Sequence, residues 1–132
     1  MLTDRQEEGL VLSYLQVKYG CIVNTESLKH STAIYECELI AKDGTRYLPQ
    51  VKSGASGNAQ FPVKDYYEKI KKISEQIGYK AVAVVFYENE DYGDFEETNL
   101  IKITKEELMQ FIDLNRLFVS KSVLESYDLI KK

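Results

Sequence analysis

Ala33-Ile34-Tyr35-Glu36-Cys37-Glu38-Leu39-Ile40-Ala41-Lys42, then Asp43-Gly44, then Thr45-Arg46-Tyr47-Leu48-Pro49-Gln50-Val51-Lys52, is the stretch on which the fold turns. The first run is rich in residues that suit a pleated strand, Asp43-Gly44 is a strong turn signal, and the third run supplies a return strand. Together they predict a β-hairpin. Side chains alternate along a strand, so Ile34, Glu36, Glu38 and Ile40 share one face while Tyr35, Cys37, Leu39 and Ala41 share the other. Two carboxylates between isoleucines are costly to desolvate unless a cation or a donor meets them. On the return strand Leu48, Gln50 and Lys52 point one way, and the turn can bring that row beside Glu36 and Glu38. A carboxylate, an amide oxygen and an ammonium so gathered suit a hard divalent cation and a reacting phosphate. Pro49 offers no N–H to a ladder and belongs at an edge or bulge, so either the hairpin distorts there or the strand assignment fails.

Working outward, Thr3 and Gln6 form a capping box for a helix from about Asp4 to Tyr19, with Leu10, Val11, Tyr14, Leu15 and Lys18 at helical spacing and Gly20 as its end. Cys21 to Val23 reads as a short edge strand and Asn24 to Thr32 as a polar connection. Beyond the hairpin, Ser53 to Asn58 is a flexible loop, and Pro62 can open a helix whose stripe is Tyr66, Ile70, Ile73 and Ile77. Ala81 to Tyr87 is continuously apolar, the mark of a strand covered on both faces in the middle of a sheet. Leu100 to Ile103 predicts another strand, and Thr104 with Glu107 a second capping box, opening a helix that buries Leu108, Phe111 and Ile112. Ser122 with Glu125 starts a last short helix. The order α-β-β-β-α-β-β-α-α predicts an α/β fold with helices flanking a mixed sheet.

The 132 residues, 44% hydrophobic and 29% charged, match one domain spanning 1–132. A net charge of -4 argues against a general polyanion binder, although Glu88, Glu90, Asp91, Asp94, Glu96 and Glu97 put much of the acid in one loop. The N-terminus does not read as a secretory signal, and no apolar stretch approaches the ~20 residues needed to cross a bilayer, so a cytoplasmic protein without a membrane partner is expected. Cys21 and Cys37 lack a CxxC or Cys/His grouping and read as reduced apolar residues.

The combination Glu38-Leu39-Ile40-Ala41, Asp43-Gly44 and Tyr47-Leu48-Pro49-Gln50-Val51-Lys52-Ser53-Gly54 resembles the metal-site hairpin of the PD-(D/E)xK nuclease superfamily. It is most similar to the Gln-x-Lys branches, those of Mrr-type restriction endonucleases and archaeal Holliday-junction resolvases. In those families a preceding helix also carries a glutamate ahead of apolar residues and a closing glycine, and Glu8, Val11, Leu12, Leu15 and Gly20 match that arrangement. The resemblance covers roughly Glu8 to Gly54 and implies a restriction-endonuclease-like mixed central sheet flanked by helices. It implies Glu38 as the main ligand of Mg²⁺ (or Mn²⁺), with Gln50 and the carbonyl of Val51 completing the protein side of the shell. It implies that Glu8 binds the metal or orients its water, and that Lys52 positions the attacking water and stabilises the transition state. The family usually has aspartate where Glu38 stands and more commonly glutamate where Gln50 stands.

The expected function is thus a Mg²⁺-dependent endonuclease-like domain hydrolysing DNA, branched or duplex, as a homodimer, since one small chain has one site and a duplex has two strands. The alternative is a catalytically degenerate nuclease fold serving as an interaction or regulatory module. Glu36 remains open as the ligand in place of Glu38, the latter being favoured by its spacing to Gln50. Glu8 also suits a first-turn acid favoured by the helix dipole. The triplet alone is weak, since Gln16-Val17-Lys18 repeats it inside a helix. His30 has no grouped partners for a triad, and Lys69, Lys71 and Lys72 read as a solvated helix face.

Overall fold

The computed structural model describes residue 2, residues 4–24, 35, 37–52 and 62–130. Helix α1 (Asp4–Tyr19) ends at Gly20, whose φ of 63° is the left-handed turn that glycine takes without strain. Strand β1 (Cys21–Val23) follows directly, then β2 (Leu39–Ala41) and β3 (Arg46–Lys52). In the turn between β2 and β3, the Thr45 N–H donates to Asp43 Oδ1 at 2.9 Å and Gly44 has φ 89°. That bond to the Thr45 backbone holds the Asp43 carboxyl below its ordinary range. Helix α2 (Val63–Ile77), β4 (Ala81–Tyr87), β5 (Leu100–Ile103), α3 (Lys105–Leu114), a 3₁₀ turn (Arg116–Phe118) and α4 (Lys121–Ser126) complete the order.

The five strands form one mixed sheet in the order β1-β2-β3-β4-β5. β1 and β3 each run antiparallel to β2, while β3, β4 and β5 are mutually parallel. Each face is covered because a sheet with apolar residues on both sides must bury both. On one face α2 packs Val63, Tyr66 and Ile70 on Leu48, Ala83 and Val85. On the other, α1, α3 and α4 pack Val11, Leu15, Leu108, Ile112 and Val123 on Leu39, Val84, Phe86 and Ile103. β4 is buried along its whole length, in keeping with its unbroken apolar run. The layout is thus an α/β mixed sheet flanked by helices, consistent with a restriction-endonuclease-like arrangement.

Three expectations are corrected. The strand expected over Ala33 to Lys42 is confined to Leu39–Ala41 among the described residues, with Tyr35, Cys37 and Glu38 outside it. Residues 33, 34 and 36 lie outside the described set. The last helix starts at Lys121 behind Ser120, two residues before the expected cap at Ser122. Ile77, expected on the buried stripe of α2, is exposed in the helix's last turn. Thr104 caps α3 as expected, the Glu107 N–H donating to Thr104 Oγ1 at 3.0 Å, while Oγ1 donates to Glu107 Oε1 at 3.2 Å in place of the backbone half of a capping box. The box expected at Thr3 and the loop at 53–58 fall outside the described residues.

Candidate functional site at the fork between β2 and β3

The register Leu39↔Tyr47 and Ile40↔Arg46 is the whole of the β2–β3 pairing among the described residues. β3 nevertheless runs five residues further, paired to β4 through Lys52↔Tyr87. The two strands therefore part just beyond Tyr47. Backbone groups alternate sides along a strand: the Arg46 N–H donates to Lys80 O and the Lys52 carbonyl accepts from Glu88 N, while Thr45 O accepts from Ala41 N. Even-numbered residues of β3 thus address β4 and odd-numbered ones address β2. Pro49 falls on the β2 side, at the first ladder position past Tyr47, where its missing N–H has no strand left to serve. That explains a proline inside an internal strand: it marks the fork.

The same alternation turns the Val51 carbonyl toward the side that β2 has left. Side chains of Leu48, Gln50 and Lys52 share the α2 face, with Leu48 buried against α2 and Lys52 exposed at the strand end. Glu38 lies on this face too, since its carboxylate Oε1 stands 3.4 Å from Arg46 Nε, across the ladder. The acid, the amide and the amine therefore occupy one side of the sheet. The Glu38 carboxylate leans toward the start of β3: besides Arg46, Asn24 Nδ2 donates to its Oε1 at 3.2 Å. The Arg46 guanidinium in turn lies over the Tyr79 ring, 4.3 Å from its centroid. Arg46 Nε makes no hydrogen bond of good angle although the carboxylate is near, so the contact is electrostatic.

Parallel sheets offer ligands the space beyond the carboxyl ends of their strands. Here β3, β4 and β5 all end on one side, at Lys52, Tyr87 and Ile103. α1 reverses into β1 at Gly20, which runs parallel to β3, so the beginning of α1 lies at that same end. Glu8, the acid expected there, is half-buried in the first turns of α1. Sequence reasoning passed over its neighbour: Glu7 is only 2% exposed. The signal was available, because Glu7, Val11, Tyr14 and Lys18 repeat at i, i+4, i+7 and i+11 and place Glu7 on the inward stripe. Tyr127 stands near both Glu7 and Glu88. Burial, reinforced by these two negative charges, pushes its hydroxyl far above the ordinary phenol range.

The acidic stretch after β4 is organised by its own bonds. The Tyr92 hydroxyl accepts from the Tyr87 N–H at 2.6 Å and donates to the Ile103 carbonyl at 2.9 Å, joining the ends of β4 and β5. Glu90 Oε1 accepts from the Lys105 N–H at 2.5 Å, at the first turn of α3. Lys105 Nζ stands 3.7 Å from Glu88, and Lys102 pairs with Glu96 and donates to the Phe95 carbonyl.

A carboxylate, an amide and a carbonyl oxygen are the donor types a hard divalent cation takes, but here the Glu38 carboxylate faces Arg46 and Asn24. Among the described residues no cluster of three or more His, Cys, Asp or Glu has the grouping of a metal centre. Glu36 lies outside the described residues. No helix among the described residues is long and apolar enough to cross a membrane. Comparison with family models, with curated proteins and with solved structures finds no match.

Proposed function

We propose that the chain is a nuclease-like domain of the PD-(D/E)xK kind, hydrolysing phosphodiester bonds of DNA with Mg²⁺ or Mn²⁺, in the cytoplasm and as a homodimer. The reading rests on the fork: past Tyr47, Gln50 and Lys52 share a face with Glu38 where, among the described residues, no strand pairs with β3 on the β2 side. Glu38, Gln50 and the Val51 carbonyl would hold the cation, which when bound supplies Lewis-acid stabilisation of phosphate charge. Lys52, exposed at the strand end, orients a water and offsets negative charge on the phosphate. The water oxygen bonds to phosphorus, the bond to the leaving sugar oxygen breaks, and the leaving oxygen gains a proton. Glu8 and Glu7 stand at the same end of the sheet but on α1, which covers the face opposite to that of Glu38, Gln50 and Lys52.

One observation favours a second reading, a fold without chemistry that serves as an interaction module: Glu38 already faces the Arg46 cation at 3.4 Å. Plasmid, branched and single-stranded DNA incubated in Mg²⁺ or Mn²⁺ with wild type and Lys52→Ala separate the two. Metal-dependent nicking that is lost in the variant is the outcome expected of the nuclease. Absence of nicking together with absence of Mn²⁺ heat in calorimetry supports the module instead.

A further inference from the structure

The charge of the chain is unevenly placed. Residues 38–87 hold eight Lys or Arg against five Asp or Glu, a net +3, while the rest of the chain holds nine against sixteen, a net -7. The fold keeps the two groups apart, because α2 covers the face of the sheet that carries Lys52 while α1, α3 and α4 cover the other. Bases on the far side are already matched with carboxylates: Lys18 with Glu107, Lys105 with Glu88, Arg116 with Asp113 and Lys121 with Glu125. On the α2 side Lys52, Lys64, Lys69, Lys71, Lys72 and Lys80 are all exposed. Among the described residues none of these six has a carboxylate within ion-pair distance, although Asp65, Glu68 and Glu75 share the helix. What reads in the sequence as a solvated helix face is, in the fold, a side of the molecule with unspent positive charge, which is the footprint of a polyanion partner.

We infer that this side of α2, from Lys52 to Lys80, holds the phosphate backbone of duplex DNA along the fork. The identity of the anion rests on the nuclease reading, whereas the surface itself does not. Val63, Tyr66 and Ile70 turn inward onto the sheet and leave the lysines outside. β3 and β4 are parallel, so α2 runs back from the end of the sheet that carries Lys52 to the end where β4 starts, and Lys80 immediately precedes β4. A helix of 15 residues is ~22 Å long, the axial rise of about six phosphates along one strand of a duplex. On the β5 side the acidic stretch bounds the surface, Phe95 meeting Tyr67 edge to face at 5.4 Å, so the DNA lies toward the fork. Charges are screened beyond about 8 Å at physiological salt, so the acid behind the sheet does not cancel this surface and instead turns it toward an approaching polyanion. An anionic membrane fits less well, since α2 spends its apolar stripe on the sheet rather than on acyl chains.

Anisotropy of a fluorescent duplex oligonucleotide, titrated with the full chain in EDTA over a salt series, reads binding apart from cleavage. Wild type should bind at low salt and release as salt rises. Lys64→Ala, Lys69→Ala, Lys71→Ala and Lys72→Ala combined should weaken binding at least about tenfold and lower the slope of log K against log salt by about 3–4, since each phosphate contact contributes ~0.9. Lys71→Glu alone should weaken it in the same direction, and Lys121→Ala on α4 should change nothing. A wild type that does not bind DNA at low salt, one that binds anionic phospholipid vesicles and not DNA, or binding indifferent to both α2 variants overturns the inference. DNA held through these lysines yet never nicked in Mg²⁺ or Mn²⁺ supports the surface and removes the nuclease, while nicking by a protein whose binding ignores the lysines does the reverse.

Discussion

Tyr92→Phe removes one oxygen and tests how the acidic stretch is held. The Tyr87 N–H faces the β5 side, but β5 ends at Ile103, and the Tyr92 hydroxyl occupies the next position. Without it a buried N–H loses its 2.6 Å acceptor and a buried carbonyl its 2.9 Å donor. An unsatisfied buried backbone group costs about 1–3 kcal/mol, and the carbonyl, which tolerates a vacant lone pair better, falls at the lower end. The expected loss is therefore ~2–4 kcal/mol, a large part of the ~5–15 kcal/mol of a typical domain. At roughly 3–5 °C per kcal/mol for a chain of this size, the melting temperature should fall by about 6–20 °C. Urea unfolding followed by circular dichroism gives the free energy directly, with Tyr79→Phe as the control, since Tyr79 is half-exposed and keeps its ring over Arg46. A Tyr92→Phe protein within ~0.5 kcal/mol of wild type, the range of an ordinary surface change, would refute the staple.

Burial raises the hydroxyls of Tyr92 and Tyr127 far above the ordinary phenol range, and those of Tyr14, Tyr35 and Tyr47 in the same direction. The unfolded chain releases the protons of Tyr92 and Tyr127 near pH ~10 while the native state keeps them, so stability is full below that pH and declines as pH rises further, by ~1.4 kcal/mol per unit for each of these two. Urea titrations at about pH 9 and about pH 11 should show this loss, and Tyr127→Phe should make it shallower; an unchanged slope counts against the buried phenol. Thr104→Ala removes the acceptor for the Glu107 N–H and should cost about 1 kcal/mol, read as a shift in the urea midpoint at constant m-value.

The element order was legible because each part carried a local signal. Gly20 stops α1, Asp43-Gly44 turns the hairpin, and the run from Ala81 to Tyr87 could satisfy itself only with cover on both faces. What local pattern could not supply was where pairing stops. β-propensity over Ala33 to Lys42 suggests a long strand, yet a ladder needs a donor at every second residue, and Pro49 withdraws one from the far side of the hairpin. The proline that looked like a contradiction in the sequence is thus a reason for the fork. The site was legible to the level of faces, since alternation alone puts Gln50 and Lys52 together. Its electrostatics was not: two carboxylates on that face called for a cation, and Arg46, the first residue of β3, answers Glu38 through diagonal proximity that only a register can reveal. The burial of Glu7 was legible too, since it shares the inward helical stripe with Val11 and Tyr14.

Arg46 is also where the two functional readings diverge most sharply. Opposite charges 3.4 Å apart attract by about 5 kcal/mol at an effective dielectric of ~20, before desolvation takes back a substantial part. A divalent cation at Glu38 would compete with that attraction and be repelled by the guanidinium as well. Arg46→Met keeps an alkyl chain near Tyr79 and removes the charge. If Glu38 is a ligand restrained by Arg46, the variant should bind Mn²⁺ at least about tenfold more tightly in calorimetry, a change of ~1.4 kcal/mol, and adding Glu38→Gln should abolish the gain. If the ion pair is a structural replacement for a vanished metal centre, Arg46→Met gains no affinity and instead melts lower than wild type, because it leaves a mostly buried carboxylate with Asn24 as the neutral donor at its Oε1. Tighter binding that survives Glu38→Gln would contradict both accounts, since the cation would then be held by other oxygens of the chain.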